Sequence, residues 1–150
     1  REGASRRRVL NREAIFDVMR EEGYEVESLY FKDYVDNVQG SHAVIRSASL
    51  VIGPHGAGFA NLLAMNENAC IIEFHSANFQ RMVYGRMSKV LGIKYDYILI
   101  PEKDNIHNEI SLNAKRDIDF WRHRDMNINV DELRAKLIES REYLEEKNMW

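Results

Sequence analysis

A strand that breaks into a glycine-rich turn and then restarts as a helix is the feature that most constrains the fold of this chain. It occupies residues 51–62 and begins Val-Ile-Gly-Pro-His-Gly-Ala-Gly. Pro54 cannot extend the hydrogen bonding of a strand, and Gly53, Gly56 and Gly58 allow backbone angles and close approaches that a side chain would forbid. A strand–turn–helix unit of this composition is typical of α/β proteins.

The residues after the turn predict an anion-binding helix N-terminus. Residues 57–65 are mostly good helix formers, so the amides of Gly56, Ala57 and Gly58 would lie unpaired at the positive end of a helix dipole. Such amides suit a phosphate or a diphosphate, and His55 stands beside them as a donor whose charge changes near neutral pH. The motif alone is also compatible with a turn that serves only tight packing, with His55 bonded to its own backbone.

The rest of the chain alternates between helix and strand. Apolar periodicity, caps and turn residues predict helices over 11–22, 34–47, 79–91 and 130–147, and strands over 24–31, 50–53, 69–74 and 95–100. The polar segment 101–129 is predicted to be a long irregular loop with a short turn of helix. The order predicts one α/β domain over residues 1–150, with a core at 1–100 and a terminal helix at 130–148. Its sheet would be Rossmann-like and parallel, with about four strands and helices on both faces.

The composition limits the kinds of partner that this chain is expected to bind. The chain has 150 residues and a formal net charge of -3, which suits one soluble globular domain and does not indicate nucleic-acid binding. No apolar stretch reaches the length of about 20 residues that spans a bilayer, so we expect no membrane insertion within this chain.

Cys70 lies in an apolar run, which predicts a core thiol. None of His42, His75, His107 and His123 has metal-ligand spacing with partners, so we predict no metal site.

Three parts of the sequence converge at one edge of the predicted sheet. Ligands of open parallel sheets bind at the carboxyl ends of the strands, where the arginine-rich start at 1–8, the His55 turn and Glu73 would meet. The arginines would offset phosphate charge, and the amides and His55 would hold phosphate oxygens. Glu73 could accept hydrogen bonds from ribose or sugar hydroxyls, or it could cap the next helix or pair with an arginine. The set predicts a site for a nucleotide diphosphate-sugar, where positive groups stabilise the leaving group in metal-free glycosyl transfer.

The same stretches carry a resemblance to a known family. Residues 1–11, Val51 to Gly58 with Asn61 following, and Ile71 to Phe74 together resemble the carboxyl-terminal part of the family-61 glycosyltransferases. That family includes N-acetylglucosaminyltransferases that act on EGF domains or on O-mannose, and plant xylan xylosyl- and arabinosyltransferases. The resemblance covers about residues 1–100. It implies a GT-B enzyme, in which two Rossmann-like halves face each other across a cleft, with inverting chemistry, no required metal and no cofactor beside the UDP-sugar donor.

The resemblance also implies roles for individual residues. Arg1 matches an arginine that ends the preceding strand of the family, and Arg7 or Arg8 matches an Arg-Arg pair. The third arginine leaves open which of Arg6, Arg7 and Arg8 faces the ligand. The residues implied to bind the donor diphosphate are Arg1, Arg7, Arg8, Asn11, His55, Gly56, Ala57, Gly58 and Asn61.

Further expectations follow from the same resemblance. Glu73 matches an acidic residue implied to bind the ribose or the sugar, and His55 is a candidate stabiliser of the leaving group. We expect the half that binds a glycan or glycoprotein acceptor, together with the catalytic base, to lie outside these 150 residues. The compartment would be the Golgi or the endoplasmic reticulum lumen in a eukaryote, and the cytoplasm or the membrane periphery in a bacterium.

Other functions remain open at this stage. The chain could be a non-catalytic module that binds nucleotide-sugars. The stretch His55 to Gly58 could instead be the oxyanion loop of an esterase-like hydrolase, but the chain contains no Gly-x-Ser-x-Gly nucleophile elbow. Dinucleotide binding is disfavoured because the turn is not Gly-x-Gly-x-x-Gly and lies on an internal strand.

Overall fold

Three parallel strands form the centre of the protein. In the computed structural model, the described residues are 7–34, 36–107 and 118–150. The strands are β1 (Leu50–Pro54), β2 (Cys70–Ser76) and β3 (Lys94–Ile100), and they pair in the order β1-β2-β3. Every residue of β2 is buried, as its nearly continuous apolar run predicts for the middle strand of a covered parallel sheet.

Helices cover both faces of this sheet. The helices are α1 (Arg12–Glu21), α2 (Val38–Ser47), α3 (Val83–Val90), α4 (Ile118–Arg122) and α5 (Val130–Glu146). On one face, α1 and α5 pack over Cys70, Ile72 and Phe74 of β2. On the other face, α3 and a 3-10 helix at Ala57–Ala64 pack over Ile71. The structure therefore confirms a Rossmann-like α/β fold with helices on both faces.

Side chains alternate between the two faces of the sheet along β2, and this determines which of them point toward the face covered by α3. Successive side chains of a strand point to opposite faces, so Ile71, Glu73 and His75 lie on the face covered by α3. Gly53 of β1 pairs in register with Glu73. Two residues after Gly53, the chain reaches His55, which therefore projects onto the same face.

Two predictions about strands were wrong. The described residues contain three strands in the main sheet rather than about four, and residues 24–30 form no strand. Apolar side chains in this segment serve packing instead of pairing. Tyr24 is buried and its hydroxyl donates to the carbonyl of Leu137 at 2.8 Å, while the chain continues into a 3-10 helix at Phe31–Tyr34.

The helix predicted after the glycine turn is a 3-10 helix. It spans Ala57–Ala64. The Asn61 side chain donates to the carbonyl of Gly58 at 3.0 Å and thus competes for an acceptor that an α-helix would use. A Cβ on Gly58 would lie 2.8 Å from the Phe31 ring, so this helix begins in close contact with the segment before α2.

The segment 101–129 is more regular than predicted. Two short antiparallel strands, β4 (Asn105–Ile106) and β5 (Asp125–Met126), pair with each other, and α4 precedes β5. Met126 also forms a parallel bridge with Val9 near the start of the described chain. Residues 108–117 lie outside the described part. None of the helices in the described residues is both long and apolar enough to cross a membrane.

Candidate functional site

His55 follows directly after β1 and is held there by backbone and side-chain bonds. Its amide donates to the carbonyl of Phe74 at 2.9 Å, which continues the pairing of β1 with β2 past Pro54. Its Nδ1 lies 2.6 Å from Oε1 of Glu73. The glycine turn thus places an imidazole directly against a carboxylate of the neighbouring strand.

Glu73 is fully buried and is surrounded by hydrogen-bonding groups. Its side chain is 0% exposed. Oε1 faces His55, and Oε2 lies 2.7 Å from the Tyr95 hydroxyl and 3.3 Å from Nε2 of His75. Burial raises the pKa of Glu73, but hydrogen bonds from His55, His75 and Tyr95 outweigh burial and lower the pKa to about 2. The carboxylate is therefore ionised at neutral pH. Because its side chain is fully buried, a direct bond to a ribose hydroxyl would require neighbouring side chains to move.

Tyr95 and His75 complete the group that we call the His55 cluster, defined as His55, Glu73, His75 and Tyr95. Nε2 of His75 lies 3.1 Å from the Tyr95 hydroxyl. Burial and the hydrogen bond to Glu73 raise the pKa of Tyr95, so its hydroxyl keeps its proton and donates it to Glu73. Within the described residues, Nδ1 of His75 has no hydrogen-bond partner.

Aromatic rings enclose the imidazole of His55. It stacks on His75 at a centroid distance of 5.3 Å, and Phe79 and Tyr84 lie at 5.5 and 5.4 Å. The His55 side chain is 13% exposed. Its Nε2 forms no hydrogen bond with any described residue, so this nitrogen is available to a ligand.

Arg7 lies against the turn that carries His55. Its Nη1 donates to the carbonyl of His55 at 2.7 Å, and the residue is 7% exposed. Its φ is 56°, in the left-handed region that a residue with a long side chain rarely adopts. Such a strained conformation persists only where the surrounding structure maintains it. Residues of this kind are found most often at functional sites. Among the three consecutive arginines, Arg7 is therefore the one that the structure places at the turn, and Arg6 lies outside the described residues.

Arg8 and Asn11 are bound to other parts of the chain. The amide, Nε and Nη2 of Arg8 donate to Asp125 at 2.8, 2.9 and 2.6 Å, although half of the Arg8 side chain is exposed. The amide group of Asn11 donates to the carbonyl of Ile128 and accepts from its amide. Their predicted contacts with a diphosphate stay predictions, as does that of Arg1, which lies outside the described residues.

The glycine turn offers two amides that have no partner among the described residues. The amide of Phe59 donates to the carbonyl of Gly56, and no described residue accepts a hydrogen bond from the amides of Ala57 or Gly58. Gly56 is buried, whereas Ala57 is exposed. Asn61 is engaged with Gly58 through its side chain. The backbone therefore retains the donors that the sequence predicts for an anion, even though the helix is of the 3-10 type.

The His55 cluster also contains atoms that a metal ion could use. One ligand atom each of His55, Glu73 and His75 lies within 4.8 Å of the others. Two ligands of one tetrahedral zinc ion stand roughly 3.3 Å apart, given metal–ligand distances of about 2.0 Å. The 2.6 Å between His55 and Glu73 is shorter and is a hydrogen-bond distance. The cluster as it stands fits a hydrogen-bonded network better than a metal site.

Sequence reasoning did not find the roles of three of these residues. From the sequence, His75 has no evident partner, Tyr95 is an ordinary strand residue and Asp125 lies in a predicted loop. The period of two along β2 could have shown that His75 shares a face with Glu73. No comparable signal in the sequence points to Tyr95 or to Asp125.

The fold and the site define an α/β protein with an imidazole–carboxylate pair and an arginine beside the carboxyl ends of parallel strands. Two amides without partners in the described part of the chain lie at the same turn. Residues 1–72 match the family model Glycosyltransferase 61, which confirms the family predicted from the motifs. The chain is similar to the family-61 glycosyltransferases over this stretch, which is just under half of its length.

The alignment with one curated relative shows how much of a related protein this chain covers. A beta-1,2-xylosyltransferase of Arabidopsis thaliana is 37% identical over 51 residues. The aligned stretch makes up 34% of this chain and 10% of that protein. The chain thus corresponds to a small part of the length of this relative.

Proposed function

We propose that this chain is the donor-binding half of an inverting, metal-independent GT-B glycosyltransferase and that it binds the diphosphate of a UDP-sugar. The observation that carries the proposal is that backbone amides and an imidazole nitrogen without partners among the described residues converge at one turn. Nε2 of His55 and the amides of Ala57 and Gly58 have no bonds within the described residues, and Nη1 of the buried Arg7 donates to the backbone carbonyl of His55. Donors of this kind recognise phosphate oxygens.

The proposed chemistry is stabilisation of the leaving group. When the bond between the sugar and the diphosphate breaks, negative charge develops on the departing UDP. Amides and an imidazolium that are already in position would offset this charge without reorganisation, which is the main way in which such sites accelerate transfer. In a GT-B enzyme, a second half that faces this one would supply the acceptor and the base.

The donor sugar and the acceptor are proposed at the level of class. The xylosyltransferase named above supports a pentose donor, and similarity to the family is also compatible with a hexose. The acceptor would be a protein or a polysaccharide glycan. Activity of this type would place a eukaryotic enzyme in the Golgi or the endoplasmic reticulum.

Calorimetric titration tests the donor site. UDP, UDP-xylose and UDP-N-acetylglucosamine are titrated into the chain with and without EDTA. We expect saturable binding that EDTA does not change. Arg7→Ala and His55→Ala should each weaken it by about tenfold or more, since a charge-assisted hydrogen bond contributes roughly 1.5–3 kcal/mol.

A matched arginine provides the control. Arg20 lies on the exposed side of α1 and pairs with Asp17 at 3.1 Å. Arg20→Ala should leave the affinity unchanged. Absence of saturable binding at millimolar nucleotide would refute the donor site, and unchanged binding in both site variants would place the diphosphate elsewhere.

A further inference from the structure

The hydrogens of the His55 cluster have one consistent arrangement. Tyr95 has a single hydroxyl hydrogen, which it gives to Oε2 of Glu73 at 2.7 Å. The Tyr95 oxygen can then accept from Nε2 of His75, 3.1 Å away. Oε1 of Glu73 is an ionised acceptor, so the bond of 2.6 Å to His55 requires a hydrogen on Nδ1 of that ring. Glu73 therefore accepts directly from His55 and Tyr95, and His75 supports this arrangement by donating to the Tyr95 oxygen.

This arrangement determines what His55 offers to the outside. Because Nδ1–H donates its hydrogen bond to Glu73, Nε2 is the ring nitrogen that a ligand can contact. In the neutral ring Nε2 is an acceptor, and it becomes a donor only when the ring takes up a second proton. A phosphate oxygen needs a donor. Binding of a diphosphate at Nε2 would therefore be coupled to uptake of a proton by His55.

We propose that Glu73 and Tyr95 are positioning residues that lock His55 in the Nδ1–H tautomer and thereby make binding of the donor diphosphate dependent on protonation of Nε2. The inference rests on the proposed function for its ligand, but the locked tautomer is a property of the free protein. Glu73 is 0% exposed, so it acts through His55. Tyr95 orients the carboxylate by holding its second oxygen.

The groups around His55 that could influence its charge come from several elements. Glu73 and His75 face the His55 ring from β2, and Tyr84 faces it from α3. Tyr95 of β3 contacts Glu73, and Arg7 donates to the backbone carbonyl of His55. The carboxylate is the group in direct contact with an imidazole nitrogen. The substitution that removes its charge with the smallest change in shape is Glu73→Gln.

The tautomer is measured in the free protein by long-range 1H–15N spectra of the histidines. The His55 signals are assigned by their loss in His55→Ala. We expect the neutral wild-type ring to carry its hydrogen on Nδ1. In Glu73→Gln the amide can donate to Nδ1, so we expect the hydrogen to move to Nε2.

Affinity for a UDP-sugar is then measured from about pH 5 to 8, the range in which histidine changes charge. A UDP-sugar is used instead of UDP because its diphosphate has no proton to lose in this range. If one proton is taken up on binding, wild-type affinity falls by up to about tenfold for each unit of rising pH. In Glu73→Gln the affinity should depend only weakly on pH.

Two tyrosine variants separate positioning from packing. Tyr95→Phe removes the hydroxyl that holds Glu73 and should weaken binding by about three- to tenfold. Tyr97 lies on the same strand and packs on His75 at 5.8 Å, but its hydroxyl bonds no member of the cluster. Tyr97→Phe should leave both the tautomer and the affinity unchanged.

The outcomes are distinguishable. An unchanged tautomer and an unchanged pH slope in Glu73→Gln would overturn the positioning role. A tautomer that moves as expected, without UDP-sugar binding to the wild type, would instead refute the proposed donor site. If Zn²⁺ alone shifts the signals of both His55 and His75 and raises the melting temperature, the cluster is a metal site and the inference fails.

Discussion

Glu73 is a buried carboxylate whose charge is maintained by its neighbours, and this has a consequence for stability in acid. Its pKa falls from 4.5 to about 2 on folding, so the folded protein gains stability above the unfolded value and loses it as the pH falls through the folded value. A shift of roughly two units corresponds to about 3 kcal/mol. We expect the free energy of unfolding to decrease by about this amount between pH 4.5 and 2. Glu73→Gln should remove this part of the slope, as chemical denaturation at a series of pH values would show.

Asp125 provides a second prediction at the scale of the residue. Its carboxylate is 1% exposed and accepts from the amide and the guanidinium of Arg8. Asp125→Ala leaves that amide without its acceptor, and we expect a loss of about 1–3 kcal/mol in the free energy of unfolding. Asp17→Ala breaks an exposed ion pair with Arg20 and should cost less than about 1 kcal/mol. Equal losses in both variants would contradict a structural role for the buried pair.

At the scale of the element, α3 is close to the His55 cluster because it contains a glycine. A Cβ on Gly85 would lie 2.9 Å from the ring of Tyr95. Alanine improves helix propensity by about 1 kcal/mol, but overpacking costs about 1–3 kcal/mol. We therefore expect Gly85→Ala to lower the free energy of unfolding by about 1 kcal/mol, measured by urea denaturation.

The matched variant for this experiment is Gly53→Ala in β1. A Cβ at this position meets nothing within 4 Å. Its stability should stay within about 0.5 kcal/mol of the wild type. If Gly85→Ala is instead more stable than the wild type, the Tyr95 ring can move away from the added Cβ without a penalty in the free energy of unfolding.

The sequence predicted elements well where one pattern dominated. The apolar run of β2 and the capped, periodic helix α5 both lie close to their predicted bounds. Predictions failed where a tertiary contact decides the conformation. The residues 24–30 alternate like a strand but have no partner strand, and the helix after the glycine turn is tightened by Asn61. Neither effect can be derived from local pattern alone.

At the scale of the whole molecule, burial separates two apolar residues that both lie on helices. Leu137 of α5 is 0% exposed, whereas Val90 of α3 is 86% exposed. Leu137→Ala should lower the free energy of unfolding by about 2–5 kcal/mol because it leaves a cavity. Val90→Ala should change it by less than about 0.5 kcal/mol. Thermal unfolding of the two variants checks this, and a large loss for Val90→Ala would show that its side chain is covered in solution.

The candidate site was also only partly predictable. The turn, His55 and Glu73 could be found because they lie at or next to predicted strand ends, and Arg7 could be found because it belongs to the arginine-rich start. The contact of Tyr95 with Glu73 joins positions 22 residues apart and depends on β3 lying beside β2. Strand order is a property of the whole sheet, so no local pattern contains it.

The pairing of the first described residues with β5 has a consequence for the order in which the site forms during synthesis. Met126 exchanges backbone bonds with Arg8 and Leu10, and Asn11 bonds Ile128 across 117 positions. The segment that carries Arg7 is synthesised before residues 125–128, and it cannot make these contacts until they follow it. Contacts of such separation form late in folding. The proposed anion site would therefore assemble only after residues 125–128 have been synthesised, and affinity for a UDP-sugar would report that these distant segments have paired.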